Sequence, residues 1–295
     1  MLKLIVLGSG SAGNSAIVCT GTSRILIDAG LSATRILERM AACGVTPCSL
    51  SGIFITHEHG DHCRGLEILT KKHPLPILCN ARTREVLRDC LKPGKNWHII
   101  PGNGVFEFAG LQLETFSVPH DAADPMGLVV RHGDATLGIL SDAGHINATI
   151  TGKLRDLDTL FVEANYDVQL LGADAKRPWP TKQRIQGKHG HLSNEQTAAF
   201  IGEVLGPRLE HVILGHLSQD CNSPDLATSA VRHALNSLKR EDVAVSCAPA
   251  HGPGPWFRVR QRRPEPMPPL PPRVPVFVPP PQDAAAWAQM EMELL

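Results

Sequence analysis

No stretch of about 18 consecutive apolar residues occurs in the chain, so the sequence offers no candidate membrane-spanning helix. Net charge is also missing. The 29 Lys and Arg residues balance 29 Asp and Glu, so any electrostatic recognition has to be local. None of the eight cysteines (Cys19, Cys43, Cys48, Cys63, Cys79, Cys90, Cys221 and Cys247) forms a C-x-x-C pair. Scattered in this way, they read as reduced thiols of a cytoplasmic protein. Cys63 stands apart only because it follows His62. The glycine-rich Gly8–Ser15, GSGSAGNS, lacks the G-K-[ST] ending of a Walker loop. The start, MLKLIVLGSGSAGNS, has one lysine and a very short apolar run. It reads as a first strand entering a glycine turn, not as a signal peptide. No internal repeat is evident.

What is present divides the chain in two. Residues 1–262 read as one catalytic domain, and residues 263–295 as a proline-rich linker with a short, disordered tail. Ten of the eighteen residues Pro264–Pro281 are proline, which excludes helix or sheet interior because proline has no N–H to donate. Ala284–Leu295 has the composition of a short helix. In the larger part, short apolar runs read as strands at Lys3–Leu7, Ala16–Cys19, Arg24–Asp28, Gly52–Ile55 and Pro76–Cys79. Further strands are expected through the middle, between His98 and Leu140, and at Thr159–Glu163, His211–Leu214, Val243–Ala248 and Trp256–Val259. Helical spacing marks Ser32–Cys43, Leu66–Lys72, Thr83–Leu91, Ser193–Leu205 and Asp225–Lys239, with Ser32 and Ser193 as N-caps. Runs of strands and then helices, given twice, predict an α/β fold of two packed sheets with helices outside. Gly172–Lys188 is polar, basic and weakly periodic, and reads as an exposed loop.

The densest chemistry is THEHGDH, Thr56–His62, directly after the strand Gly52–Ile55. In extended or loop geometry, residues two apart point the same way. His57 and His59 therefore converge on one point past the strand end, and Asp61 and His62 face a second point nearby. Gly60 lets the loop turn tightly. Imidazoles and a carboxylate are the usual ligands of Zn²⁺, Mn²⁺ or Fe. Three more strand ends each deliver one such group: His120 after Leu111–Phe116, Asp142 after Leu137–Leu140, and His216 after Val212–Leu214. Together these make a site assembled at one edge of the sheets.

THEHGDH followed by His120, Asp142 and His216 resembles the five-motif signature of the metallo-β-lactamase superfamily, over roughly residues 1–260. The resemblance implies a four-layer αββα sandwich with two divalent metal ions, zinc or manganese, at its edge. It implies that His57, His59 and His120 hold one ion, that Asp61, His62 and His216 hold the other, and that Asp142 bridges them. The lactamase branch commonly has cysteine where Asp142 stands, which argues against a true β-lactamase. GSGSAGNS, HDAADPMG (His120–Gly127), VEANYD (Val162–Asp167) and GHLSN (Gly190–Asn194) are more narrowly similar to the YycJ (WalJ) group. That group is related to PhnP-type cyclic phosphodiesterases and to ribonuclease Z. Tyr166 departs from the histidine expected in several relatives.

On this footing the expected function is a metal-dependent phosphodiesterase, a nuclease or exonuclease acting on DNA through a two-metal-activated hydroxide. Asp61 would orient the nucleophile. His191 would give the leaving group a proton or bind phosphate, a role the resemblance to ribonuclease Z favours. Asn14, Ser15, His189 and His191 are the candidate substrate contacts. The Gly8–Ser15 segment reads equally as an anion nest and as a plain β-turn. Glu163 reads either as a partner of a ligand histidine or as an ordinary buried acid. Lys176, Arg177, Lys182, Arg184 and Lys188, with Trp179 among them, have the make-up of a loop that tracks a nucleic acid and stacks a base. They equally fit a solvated surface. Arg258, Arg260, Arg262 and Arg263 form a second basic cluster. The alternatives are a PhnP-like cyclic phosphodiesterase, a hydrolase of esters, thioesters or lactams, and a non-catalytic binding module that recruits partners through the proline-rich tail. Oligomeric state is left open.

Overall fold

The computed structural model describes residues 1–249 and 251–259. The proline-rich segment, the 263–295 boundary, and Arg260, Arg262 and Arg263 lie outside the described residues. The first sheet takes β1 (Lys3–Gly8), β2 (Ser15–Cys19), β3 (Arg24–Ile27), β4 (Gly52–Phe54), β5 (Ile77–Cys79) and β6 (Trp97–Ile99). The second takes β7 (Gly104–Phe108), β8 (Leu111–Ser117), β9 (Met126–His132), β10 (Ala135–Leu140), β11 (Thr159–Glu163), β12 (His211–Gly215) and β13 (Ala244–Cys247). β14 (Phe257–Arg258) returns to pair with β1. The two seven-stranded sheets run β14-β1-β2-β3-β4-β5-β6 and β13-β12-β11-β10-β9-β8-β7.

Strands read as continuous apolar runs because both faces of each sheet are covered. In β1, Leu4 and Val6 turn to the inter-sheet core, where they join Leu137, Ile139 and Phe161 of the other sheet. Ile5 and Leu7 turn the other way, toward Ile36 and Met40 of α1 (Ala33–Ala42). Each such buried side chain contributes roughly 1.5–3 kcal/mol. The outer layer on that side is completed by α2 (Gly60–Cys63), α3 (Leu66–Lys72) and α4 (Ala81–Cys90). On the second sheet, α5 (Ala148–Lys153), α6 (Val168–Ala173), α7 (Trp179–Gln186), α8 (Asn194–Val204) and α9 (Pro224–Ser237) follow. Leu154, Phe200, Ile201, Val231 and Leu235 of this layer pack on its outer face. The architecture is the αββα sandwich.

Caps stand where the hydroxyls predicted them. Ser32 accepts from Arg35 N, and Ser193 forms a reciprocal capping box with Gln196. All eight cysteines are free. No helix among the described residues is long and apolar enough to cross a membrane. One expectation fails: Gly172–Lys188 is not a loop throughout, because Trp179–Gln186 is helical. Its inward position is Lys182, which is buried and donates from Nζ to Gly172 O at the end of α6. A lysine on the buried face hides the helical period from a reading that counts lysine as polar.

Candidate metal centre

β3 to β6 pair in parallel, as do β10 to β13. Their carboxyl ends therefore open on one edge, and there the titratable side chains gather. Asp28 follows β3, His57 to His62 follow β4, and His120 follows β8. Asp142 follows β10, Glu163 ends β11, and His216 follows β12. Asp28, Asp142 and His216 have φ of 58°, 56° and 52°, the left-handed region that side chains other than glycine rarely enter. Strain of that kind collects where a strand end must re-aim a functional side chain.

Two histidine groups form. In the first, each ring has one nitrogen committed to an oxygen. His57 Nδ1 lies 3.0 Å from the Thr56 hydroxyl, His59 Nε2 3.2 Å from Asp121 O, and His120 Nδ1 3.0 Å from Gly190 O. The remaining nitrogens, His57 Nε2, His59 Nδ1 and His120 Nε2, are left as lone pairs. The last two face each other at 3.3 Å, and His57 Nε2 is buried with no hydrogen-bond partner. Burial holds the His57 imidazole well below its ordinary pKa and lowers His120 as well, so both are neutral donors. Three converging imidazole lone pairs, one of them an orphan in the protein interior, fit a divalent cation.

In the second group, His62 Nδ1 sits 2.7 Å from Asp28 Oδ2, and His62 Nε2 lies 3.0 Å from Asp142 Oδ2. His216 Nδ1 is 2.9 Å from Asp142 Oδ1. Asp61 Oδ2 is 3.8 Å from His62 Nε2 and 3.7 Å from His216 Nε2. Burial alone would lower the His62 pKa, but Asp142 and Asp28 override it and raise it well above the usual range. Burial would likewise raise the Asp142 carboxyl, yet His216 and His62 hold it well below. An imidazole between two buried carboxylates needs a positive charge, which a proton or a metal ion can supply. Ligand atoms of His57, His62 and Asp142 lie within 4.8 Å of one another, as do those of His57, His59 and His120. The two groups are therefore one continuous cluster. The donor set is nitrogen and oxygen. Cys63 turns its thiol away to His57 O, and burial pushes that thiol well up.

A family model described as a beta-lactamase superfamily domain matches residues 23–216, from β3 to the last of these histidines. The chain belongs to the metallo-β-lactamase superfamily. As a member it is a metal-dependent hydrolase, and the His/Asp cluster is of the kind that holds divalent ions. It is 34% identical over 238 residues to exodeoxyribonuclease YycJ of Bacillus anthracis, covering 79% of this chain and 89% of that one. It is also 34% identical over 247 residues to exodeoxyribonuclease WalJ of Streptococcus pneumoniae, covering 82% and 90%. Among solved structures, the metallo-β-lactamase fold protein YhfI of Bacillus subtilis superposes with a TM-score of 0.66 at 14% identity, covering 86% of this chain and 98% of that one.

The other residues singled out from sequence fall in distinct places around this superfamily site. His191 lies beside the cluster, with Nδ1 3.1 Å from Glu163 Oε2 and 3.5 Å from Asp142 Oδ1. Burial lowers the His191 pKa, but the Glu163 hydrogen bond and charge, with Asp142, lift it to about 9. Asn14 is buried, and its Nδ2 lies 3.3 Å from Asp61 Oδ2 and 3.0 Å from His62 Nε2. Its Oδ1 accepts from Gly10 N. Ser15 is buried too and donates to Asp28 O. His189 exposes its ring, and its carbonyl accepts from Asp121 N. Neither Ser15 nor His189 joins the converging groups. Glu58 accepts from Ala123 N.

Two contributors carry no local signal in the sequence. Asp28 binds His62 and also takes the Thr56 hydroxyl, which accepts in turn from His57 Nδ1. Gly30 is the demanding glycine, since a Cβ there would collide with the backbone carbonyl of Asp61. Gly60 has no such role. It opens α2 without a left-handed φ, and a Cβ would meet nothing.

Segment 172–188 is also less free a cation source than its composition suggests. Lys176 pairs with Asp220, and Arg177 with Asp174 and Asp220. Lys182 is the buried residue described above. Arg184 reaches Asp121.

Proposed function

We propose that the chain is a divalent-metal-dependent phosphodiesterase that degrades DNA from an end. The observation that carries this reading is Asp142: one carboxylate lies between the two histidine groups, 3.0 and 2.9 Å from His62 and His216 of one and 4.0 Å from His120 of the other. In this reading His57, His59 and His120 hold one ion, Asp61, His62 and His216 hold a second, and Asp142 serves both. Zinc and manganese both suit a set of imidazole and carboxylate ligands. When bound, two such ions activate water at neutral pH and offset the charge that builds on the phosphate oxygens.

The chain's own groups do the rest. The Asp61 side chain is 24% exposed against 3% for Asp142, so Asp61 is the carboxylate open to substrate and orients the attacking water. Asn14 holds that carboxylate from behind. His191, kept protonated by Glu163, donates a proton to the leaving alkoxide. The names of the two bacterial relatives, both exodeoxyribonucleases, support DNA as substrate and cleavage from a terminus.

Loss of phosphodiester turnover in His57→Ala and in Asp61→Ala, each folded as judged by circular dichroism, is the expected result. Undiminished turnover in either variant would defeat the reading. The pairing of Lys176 and Arg177 with Asp174 and Asp220 favours, as a second reading, a small cyclic phosphodiester substrate. Rapid turnover of such a compound with DNA left intact would select it.

A further inference from the structure

Resting on the phosphodiesterase reading, we infer that α7 is the clamp for the substrate strand. Arg184 takes a phosphate next to the one cleaved, and Trp179 stacks a base farther out. The strand is therefore single-stranded where it enters the site.

Arg184 stands at the rim of the cluster. Its Nε donates to Asp121 Oδ2 at 2.5 Å, and Asp121 Oδ1 lies 3.4 Å from His120 Nε2. Only that one of its five N–H groups is engaged among the described residues, and the side chain is 68% exposed. The four Nη hydrogens are thus presented to solvent on a guanidinium whose orientation is already set by a carboxylate. Planar, paired donors match two phosphate oxygens. An exposed ion pair to Asp121 is weak enough to share the guanidinium with an incoming phosphate.

The helix that carries Arg184 is fixed in place. His191 N donates to Ile185 O, Gly190 N to Gly187 O, and Asp121 N to His189 O. His145 Nδ1 meets Lys188 O, and a Cβ on Gly144 would strike the Lys188 backbone. In the middle of the helix Lys182 ties α7 to Gly172 O. A surface held this way loses little freedom when a strand binds.

Trp179 is the first residue of α7, and 64% of it is exposed. Its indole makes no ring contact among the described residues. An open face of that size is unusual for a residue that is mostly buried in globular proteins. Five residues of helix separate it from Arg184, about 7.5 Å along the axis and about 140° around it, so a strand meets both by crossing the start of α7 rather than by running along one face. Stacking needs an unpaired base, and it tolerates any of the four. Lys176 and Arg177 are engaged with acids and Lys182 is buried, leaving Lys188 and the unengaged Nη groups of Arg184 to meet a backbone. A molecule of zero net charge recognises its substrate through such a small local patch.

The test compares Trp179→Ala, Trp179→Phe, Arg184→Ala and Arg184→Lys in the metal-reconstituted enzyme. Each is given an end-labelled single-stranded oligonucleotide and bis(p-nitrophenyl) phosphate. For Trp179→Ala, the ratio of oligonucleotide to small-diester kcat/KM is expected to fall about ten- to a hundredfold, through KM, with Trp179→Phe recovering most of it. Arg184→Ala is expected to lower the same ratio and to reduce the slope of log KM against log salt by about 0.7. Arg184→Lys should restore the slope but not the full affinity. An unchanged ratio in Trp179→Ala and Arg184→Ala would overturn the clamp while leaving the nuclease reading intact. Equal losses on both substrates would also overturn it, making α7 a buttress of the centre. A wild-type enzyme that turns over the small diester and leaves the oligonucleotide whole would overturn the clamp and the DNA reading together.

Discussion

The carboxylate of Asp28 lies 2.7 Å from Nδ1 of His62 and accepts a hydrogen bond from the Thr56 hydroxyl, which itself faces Nδ1 of His57. One buried acid thus fixes the tautomer and aim of a histidine in each group of the cluster. Asp28→Asn keeps the left-handed backbone, which asparagine tolerates, and removes the charge. Metal affinity is expected to fall about 10–100-fold. Competition against a chromophoric chelator measures it, and a variant that binds metal as tightly as wild type would remove Asp28 from the account.

The Glu163–His191 pair gives a pH prediction. His191 has its pKa raised to about 9, against burial, by the Glu163 hydrogen bond and charge. It is therefore the imidazolium at neutral pH and loses its proton as pH rises through that region. In Glu163→Gln, Oε1 still accepts from Ala143 N and Leu192 N, but the negative charge is gone. The His191 pKa then drops, and the alkaline limb of kcat moves to lower pH. The effect should be larger on DNA, whose alkoxide leaving group needs the proton, than on bis(p-nitrophenyl) phosphate, whose phenolate does not. Superimposable pH profiles for wild type and Glu163→Gln would show that His191 is not the acid.

Gly30 and Gly60 make a matched pair. Gly30→Ala drives a Cβ into the Asp61 carbonyl, in the segment where Asn14 N donates to Asp61 O and Gly30 N to Asn14 O. A loss of about 1–3 kcal/mol is expected, together with weakened metal binding. Gly60→Ala meets no atom and should change stability by less than about 0.5 kcal/mol. Denaturant unfolding of both variants measures the contrast, and equal losses would contradict it.

Much of the fold could be read in the sequence because its strands are buried on both faces and short. Gly52–Phe54 and Leu137–Leu140 carry no alternation to misread, and each is followed within three residues by a residue of the cluster. The spacing of His57, His59, Asp61 and His62 was legible for the same reason: all leave one strand end within six residues. Asp28 was not, since its significance comes from His62, 34 positions later. Gly30 carries no such local mark, because its need for glycine is imposed by a carbonyl far away in sequence. The helix Trp179–Gln186 is hidden in the sequence because lysine occupies its buried face.

The most direct measurement is cleavage of end-labelled DNA by metal-stripped protein as Mn²⁺ or Zn²⁺ is returned in sub-stoichiometric steps. The expected result is no cleavage by the stripped protein, recovery that levels off near two ions per chain, and label released as short products from a terminus. Cleavage that persists without metal, or recovery confined to the small diester while DNA stays intact, would contradict it.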